Sequence, residues 1–480
     1  MDLHPHDGIT LRKNAIGLLG VVFFVIATNG PLTVLMGAVP SAITFGNGIG
    51  LPGVFVLIGL IYLLFSVGFA AMAHHIKNAG AFYAYVSSGL GHPLGVGAAF
   101  MAITAYASLN LALYGMFGFF GSHLLTHITG LELPWWVVCA VFAIVVHFFS
   151  TRNIQFNGKM LGTLMLAEIA IILIFDAGVF IQGGGPDGLT FAPFAPSNVF
   201  VPALGSAIVF VISAFTGFET AAIYAEEARD AKRTVPLALY ISVIVIMTLY
   251  AGSTWLLIAA YGIEEALKTA ANNPGEIWFT MSTKLVGAWS ADVMDVLMTT
   301  SLFAAILSFQ NTLSRYLFSL GREGVIWRGF AVLHPKQQTP TIASGFQSVL
   351  MIAGIVAAGL YSLDPLTVLM PLAATPASIG IVVVQFLAAL AVVGFFHTSK
   401  RDANLFQRLI APGVSAMALG AVLIMMLMNV SLLTGGNPVF DWLLPTSVFA
   451  IGLFGVAYAM WLKRNRPAVY QNLARVLNEV

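Results

Sequence analysis

Val25-Ile26-Ala27-Thr28-Asn29-Gly30-Pro31-Leu32-Thr33 is the stretch on which the fold turns. The run around it, 15–40, is apolar and long enough to cross a bilayer, which takes about 20 such residues. Yet Pro31 removes a backbone donor and disfavours helix at Gly30, itself a poor helix former. Lipid offers the backbone no hydrogen-bond partner, so a spanning helix breaks only beside protein or a polar cavity. Taken alone, Gly-Pro in a span reads as a kink; the polar pair Thr28 and Asn29 just before it makes this one a candidate site. A second interruption lies at Ile212-Ser213-Ala214-Phe215-Thr216-Gly217-Phe218-Glu219-Thr220. It sets the Glu219 carboxylate in mid-span. An ionisable group at that depth costs about 2.5–3.5 kcal/mol on insertion scales and so usually has a task. The blander reading is a tie to a neighbouring helix for packing alone.

Composition places both stretches in a membrane. The chain has 480 residues, 59% hydrophobic and 9% charged, with a mean hydropathy of +0.91. A soluble domain carries about 25% charged residues, so a cytosolic globular enzyme is excluded. The 47 glycines follow no three-residue period, which excludes collagen, and the apolar content excludes disorder. A net charge of +1 gives no general attraction to nucleic acid. Cys139, the single cysteine, leaves no internal disulfide and no cysteine-based metal cluster.

Twelve apolar runs predict an all-α integral membrane protein with twelve transmembrane helices, near 15–40, 52–73, 96–121, 133–151, 160–182, 199–225, 236–261, 289–314, 341–361, 366–396, 406–433 and 443–462. Continuous apolarity, without alternation, argues for helices over barrel strands. With these spans, every lysine and arginine except Lys268 and Lys284 falls on one side. That side is cytoplasmic by the positive-inside rule, so both termini are expected there. No cleavable signal peptide is visible, and the expected location is the cytoplasmic membrane. The stretch 262–288, with Pro274, Glu264, Glu265 and Glu276, reads as a lid over an outer vestibule or as a solvated connector.

The two broken spans are five helices apart. Paired interruptions at corresponding places in two halves point to a transporter built from inverted repeats. The expected organisation is a cytoplasmic tail at 1–14, a transport core of spans 1–10 at 15–396, peripheral spans 11 and 12 at 397–462, and a second cytoplasmic tail at 463–480.

Three segments carry a family resemblance. Gly217-Phe218-Glu219 followed by Ala225-Glu226-Glu227-Ala228-Arg229-Asp230-Ala231-Lys232-Arg233-Thr234-Val235-Pro236 resembles the sixth span and following loop of the amino acid–polyamine–organocation (APC) superfamily. Asn78-Ala79-Gly80-Ala81-Phe82-Tyr83-Ala84-Tyr85-Val86 with Gly89-Leu90-Gly91 is similar to its loop between spans two and three. Arg315, Gly321-Arg322-Glu323-Gly324-Val325, His334-Pro335-Lys336 and Thr339-Pro340 resemble its loop after span eight. The resemblance implies a leucine-transporter-like 5+5 inverted repeat and alternating access for amino acids, polyamines or related amines. It places the substrate site at the breaks of spans one and six, on Thr28, Asn29, Gly30, Ser213, Phe215, Thr216 and Gly217, with Asn110 from span three; Glu219, the mid-span carboxylate, is a further substrate-binding candidate. One departure matters. Many amino-acid permeases have a Gly-Ser-Gly-type run in span one, where this chain has Thr28-Asn29-Gly30-Pro31, with fewer N–H groups for a substrate carboxylate.

Other polar residues invite two readings each. Glu168 lies mid-span in helix five, where relatives often carry a lysine; it is a proton-coupling candidate beside Glu219, or a structural pairing. Asp176 reads as an outer-end residue reaching water. Tyr106, Asn110 and Tyr114 form a stripe at helical spacing, of which Asn110 is the binding candidate. His123 and His127 with Glu132 read as interface residues, not a metal site. His74, His75 and Lys77 read as inner-face polar residues. Gln310 and Asn311 line a pathway or join helices.

A secondary active transporter of amino acids or related amines, with proton-coupled uptake, fits these features best, and no enzyme activity, cofactor or metal is expected. Sodium is the alternative coupling ion, with Thr28, Ser213 and span-eight oxygens as ligands. A polyamine (putrescine-like) permease or an exchanger is the alternative within the fold. A channel is the alternative class, but no filter-like repeat occurs. A primary pump is excluded by the lack of a Gly-x-x-x-x-Gly-Lys motif.

Overall fold

The computed structural model describes residues 11, 14–76, 80–152, 154–398 and 403–474. Arg12, Lys13, Lys77, Asn78, Ala79, Lys400, Arg401 and Arg475 lie outside the described residues.

Most of the described length is helical. The first span is α1 (Leu18–Asn29), a π-helical turn Thr33–Ala38, and α2 (Val39–Phe45). Then come α3 (Leu51–Ala73), the short α4 (Phe82–Leu90), α5 (His92–Thr129), α6 (Trp135–Ser150), α7 (Ile154–Ile181) and one turn of α8 (Pro196–Val199). The sixth span is α9 (Leu204–Phe215) and α10 (Thr220–Ile223). Next are α11 (Ala231–Tyr261), α12 (Ile263–Asn272), α13 (Ile277–Leu285), α14 (Ala288–Glu323), α15 (Thr341–Leu360) and α16 (Met370–Thr398). The chain closes with α17 (Ala411–Met428), α18 (Val430–Leu433), α19 (Pro438–Asn465) and α20 (Pro467–Gln471).

Among the described residues, 11 helices are long and apolar enough to cross a membrane, counting each broken span as one. The fourth expected span is α6, 16 apolar residues and therefore shorter than the rest. At about 1.5 Å per residue it rises roughly 24 Å. Leu166, Leu173 and Phe180 on α7 and Val141, Ile144 and Phe148 on α6 are exposed. A soluble monomer rarely leaves such stripes bare; hydrocarbon covers them at no expense.

The interior gathers around α1, α5 and α14. Helix α1 packs on α7, α11 and α14, while α5 packs on α14 and α16. The region 262–288 packs on the helices along one side while Glu264, Glu265, Pro274 and Glu276 stay exposed. Its helix α12 lies against α2, and α13 packs on α14 with Trp278 buried against Phe175 at 5.2 Å.

Span eight also differs from its sequence reading. Helix α14 continues to Glu323, so Arg315 is inside the helix and 1% exposed instead of in a loop. The reason is its partner. Arg315 Nε and Nη2 donate to the two carboxylate oxygens of Glu227 at 2.6 and 3.1 Å. Two turns on, Arg322 makes the same paired contact with Glu226, at 2.9 and 2.8 Å. The Glu227 carbonyl accepts the amides of Ala15 and Ile16, and the Arg229 amide donates to Ile16 at 2.7 Å. The strand-like segment before α1 is thus tied to the one after α10, and both are tied to α14.

The chain's C-terminal part joins the same end. Tyr83 of α4 donates its hydroxyl to Glu323 at 2.5 Å, and the Ala474 amide donates to that carboxylate at 2.8 Å and to the Tyr83 oxygen at 3.0 Å. All three segments that carried the family resemblance therefore meet here. Tyr83→Phe should lower the thermal stability of the detergent-purified protein by about 1–3 kcal/mol, since it strips a donor from a carboxylate that has little water to replace it. An unchanged melting temperature would show that water fills the gap freely.

Candidate functional site

The chain leaves helix at both expected breaks. Gly30 takes a left-handed conformation with φ of +58°, and its amide turns back to Ile26 and Ala27 at 3.2 Å. Pro31 follows and has no amide to give. Leu32, which would otherwise donate to Thr28, points its amide at Glu168 Oε2 at 3.4 Å. The Thr33 amide and hydroxyl both go to Ser301 on α14, at 3.4 and 3.1 Å. Helix α7 thus brings a carboxylate, 1% exposed, to the gap in span one.

Span six breaks in a matching way. Helix α9 ends at Phe215, and Gly217 adopts a φ of +108° that side chains rarely accept. The Gly217 amide donates to Glu219 Oε2 at 3.1 Å, and the other carboxylate oxygen accepts the Tyr106 hydroxyl of α5 at 2.6 Å. Glu219 is fully buried. Phe215 stacks on Tyr62 with centroids 5.2 Å apart, and Tyr62 donates to Gln385 on α16 at 2.9 Å.

The two breaks touch. A Cβ added to Gly217 would lie 2.5 Å from Thr28 Cγ2. Gly217→Ala therefore meets both a positive φ and a collision, and should cost about 1–3 kcal/mol of stability from the backbone alone. Gly252→Ala on α11 meets nothing within 4 Å and is the control, with a melting temperature at or above the parent's. Equal behaviour of the two variants would mean that Gly217 and Thr28 are not held together.

The structure brings most of the nominated residues to this junction. Thr28 donates to the Phe24 carbonyl at 2.6 Å and contacts the Ser308 hydroxyl. Asn29 donates to Val25 at 2.9 Å, leaving its buried Oδ1 without a partner. Thr216 donates to Ile212 at 3.3 Å and Ser213 to Phe210 at 2.6 Å, so these two hydroxyls serve their own helix. Asn110 sits one turn beyond Tyr106 on α5, fully buried, with neither amide atom satisfied.

Other nominated residues go elsewhere. Gln310 joins helices, donating to the Ser344 carbonyl and the Ser348 hydroxyl of α15, each at 2.9 Å. Tyr114 packs toward α6, with Phe142 at 6.4 Å between ring centroids and its carbonyl accepting the Cys139 thiol at 3.2 Å. Asp176 is not simply an outer-end residue in water: it is largely covered and accepts the Ser253 hydroxyl at 2.7 Å. His123 and His127 are exposed.

Sequence reading passed over Glu226 and Glu227 as more than landmarks, and over Ser301 and Ser308. In a chain with so few charges, two adjacent acids after a broken span were the available signal. The serines gave none, because serine is common in membrane helices.

The family model described as amino acid permease matches residues 16–459. The chain belongs to the amino acid permease family of the APC superfamily. This permease is 22% identical over 349 residues to the branched-chain amino acid permease BcaP of Bacillus subtilis, covering 68% of this chain and 70% of that one. It is 23% identical over 427 residues to the low-affinity putrescine importer PlaP of Escherichia coli K12, covering 86% and 88%. It is 26% identical over 372 residues to the methylthioribose transporter of Bacillus subtilis, covering 73% and 74%. The permease is a multi-pass membrane protein of a transporter family.

Proposed function

We propose that this permease is a secondary active transporter that carries amino acids or related amines across the cytoplasmic membrane by alternating access, coupled to proton uptake. The observation that carries the reading is the junction itself: two broken helices in contact, with one buried carboxylate at each break. Half-helices that meet at mid-membrane can rock against each other while their freed backbone groups hold a ligand. On this reading α6 is the fourth span and brings the count to twelve, spans 1–5 and 6–10 are the inverted repeats, and the helices from 397 to 462 lie outside the core. The tails are cytoplasmic, and the ion-paired end of α14 closes the inner side. Thr28, Asn29, Gly30, Asn110, Ser213, Phe215, Thr216 and Gly217 surround the substrate, Glu219 faces it, and Glu168 takes up and releases the proton. The amino acid permease family model over residues 16–459 and the putrescine importer aligned over 86% of this chain support a ligand that bears an amine.

Counterflow in proteoliposomes tests this. Preloaded substrate should accelerate entry of labelled substrate, and an inward proton gradient should drive accumulation. Flux that ignores preloading would mark a pore and end the carrier reading.

A further inference from the structure

Away from the two breaks, a group of buried polar atoms without protein partners lies where α7, α11 and α13 meet. They are Asp176 Oδ1 on α7, Trp278 Nε1 on α13, and the hydroxyls of Tyr250 and Thr254 on α11. Tyr250, Ser253 and Thr254 are fully buried and lie three and four residues apart, so they form one polar face of α11. Ser253 fixes where that face points, because its hydroxyl donates to Asp176 Oδ2 at 2.7 Å. Thr248 returns its hydroxyl to its own helix, at the Ile244 carbonyl, whereas Thr254 does not. Trp278 lies against Phe175, the neighbour of Asp176. Buried polar atoms of this kind are normally met by ordered water or belong to a functional path.

The group leads inward to Glu168. Helices α7 and α11 pack on each other, and with only span six between them they run in the same direction. Glu168 precedes Asp176 by eight residues, roughly 12 Å along the axis. Tyr250 precedes Ser253 by three, about 4.5 Å, and a helical side chain leans further toward the N-terminal end of its helix. The Tyr250 hydroxyl therefore falls between the two carboxylates in depth, and the Glu168 charge acts on it. Phe55 packs on the tyrosine ring, with centroids 5.7 Å apart.

No cation interrupts this line. Among the described residues no ion pair includes Asp176 or Glu168. Of the elements packed on α7, α1 has no titratable side chain. Besides Tyr250, α11 has Tyr261 at its outer end, bonded to the Ile277 carbonyl, and Lys232, Arg233 and Tyr240 toward its inner end. Lys284 of α13 and Asp292 of α14 are exposed, and Asp295 acts electrostatically with His123 and His127 of α5. Deeper on α14, Arg315 and Arg322 are held by Glu227 and Glu226, and Lys159 is exposed at the inner end of α7. Intramembrane carboxylates in a chain of hydroxyls mark proton relays.

We propose that Asp176 and Tyr250 form a proton path from the outer side to Glu168, separate from the substrate path between the broken helices. A proton from outer water binds the Asp176 carboxylate and passes on through water to the Tyr250 oxygen, which releases its own hydroxyl proton to Glu168. The proposal rests on Glu168 as the proton-carrying group and adds the route by which the proton arrives.

The test follows the Glu168 carboxyl by infrared spectroscopy of the reconstituted full-length permease, without substrate. The acid carbonyl band that vanishes in Glu168→Gln reports that residue, and its rate of appearance after an acid jump is the readout. Asp176→Asn keeps an oxygen for Ser253 and Tyr250→Phe keeps the ring on Phe55, so both should melt with the parent. In each, protonation of Glu168 should slow on the order of 100-fold, the low end of what a positioned proton-transfer group contributes. An unchanged rate in either variant overturns the path and leaves Glu168 in its role. Absence of any band that depends on Glu168 would remove the role and the path together. A second measurement needs no change at either relay residue. In a Cys139→Ala background, which removes the single native cysteine, Ag+ added outside should react with Thr254→Cys, a nearly isosteric change, and spare Leu173→Cys on the exposed apolar face of α7. Equal inertness of the two thiols would mean that water does not enter, and would overturn the path.

Discussion

Glu227→Ala should lower the stability of the folded permease by about 3–5 kcal/mol, the largest effect of any single side chain outside the two breaks. Removing the carboxylate strands the Arg315 guanidinium, 1% exposed, with the Asn311 carbonyl at 3.1 Å and the Tyr224 ring at 5.0 Å but no counter-charge in contact. Breaking a buried pair from one side costs that much because the remaining charge cannot be rehydrated, whereas replacing both partners by apolar residues is often neutral. The double variant Glu227→Met with Arg315→Met should therefore melt well above Glu227→Ala. The backbone bonds from Ala15 and Ile16 to the Glu227 carbonyl survive every one of these substitutions. Melting curves in detergent decide it, and a single variant as stable as the parent would show that water already reaches the pair. Transport by the double variant bears on gating: if the pair closes the inner side, the folded variant should exchange substrate while accumulating little.

Glu168→Gln and Glu219→Gln should fail in different ways. A proton-coupled carrier needs a group that is protonated in one orientation and ionised in the other. Glutamine keeps the shape of the protonated acid and cannot ionise. At Glu168 it can still accept the Leu32 amide, so the first break keeps its geometry while proton exchange is lost. We expect Glu168→Gln to abolish pH-driven accumulation, a fall of about 10–100-fold, yet to exchange preloaded substrate at close to the parent rate. Glu219 is the proposed ligand contact, and its two oxygens organise Tyr106 and Gly217 together. Glu219→Gln should weaken binding, and with it accumulation and exchange alike. Uptake and exchange measured from about pH 5 to 8 separate the two. Accumulation driven by pH in Glu168→Gln would take that residue out of the coupling step.

Much of this was legible in the residues themselves. Low charge and twelve apolar runs determine a membrane protein, since no other solvent accepts that surface. Gly30-Pro31 and Gly217 determine where the first and sixth spans lose their helix, because the prohibition is local: a missing donor and a backbone angle need no distant partner. The mid-span positions of Glu168 and Glu219 are likewise written in the chain. The limits of α14, the fate of 262–288 and the burial of Asp176 were not. Each depends on a partner tens or hundreds of residues away, as Arg315 depends on Glu227 and Trp278 on Phe175.

What only the tertiary structure decided is the direction of the hydrogen bonds at the breaks. Sequence showed that amides are freed there and that a Gly-Ser-Gly run is absent. It could not show that the freed amides are spent on the protein's own Glu168, Glu219 and Ser301, because those residues arrive from α7, from beyond the second break and from α14. A broken helix frees donors and acceptors in equal number. Which of them stays open for a ligand is settled by the side chains that the fold packs against the gap.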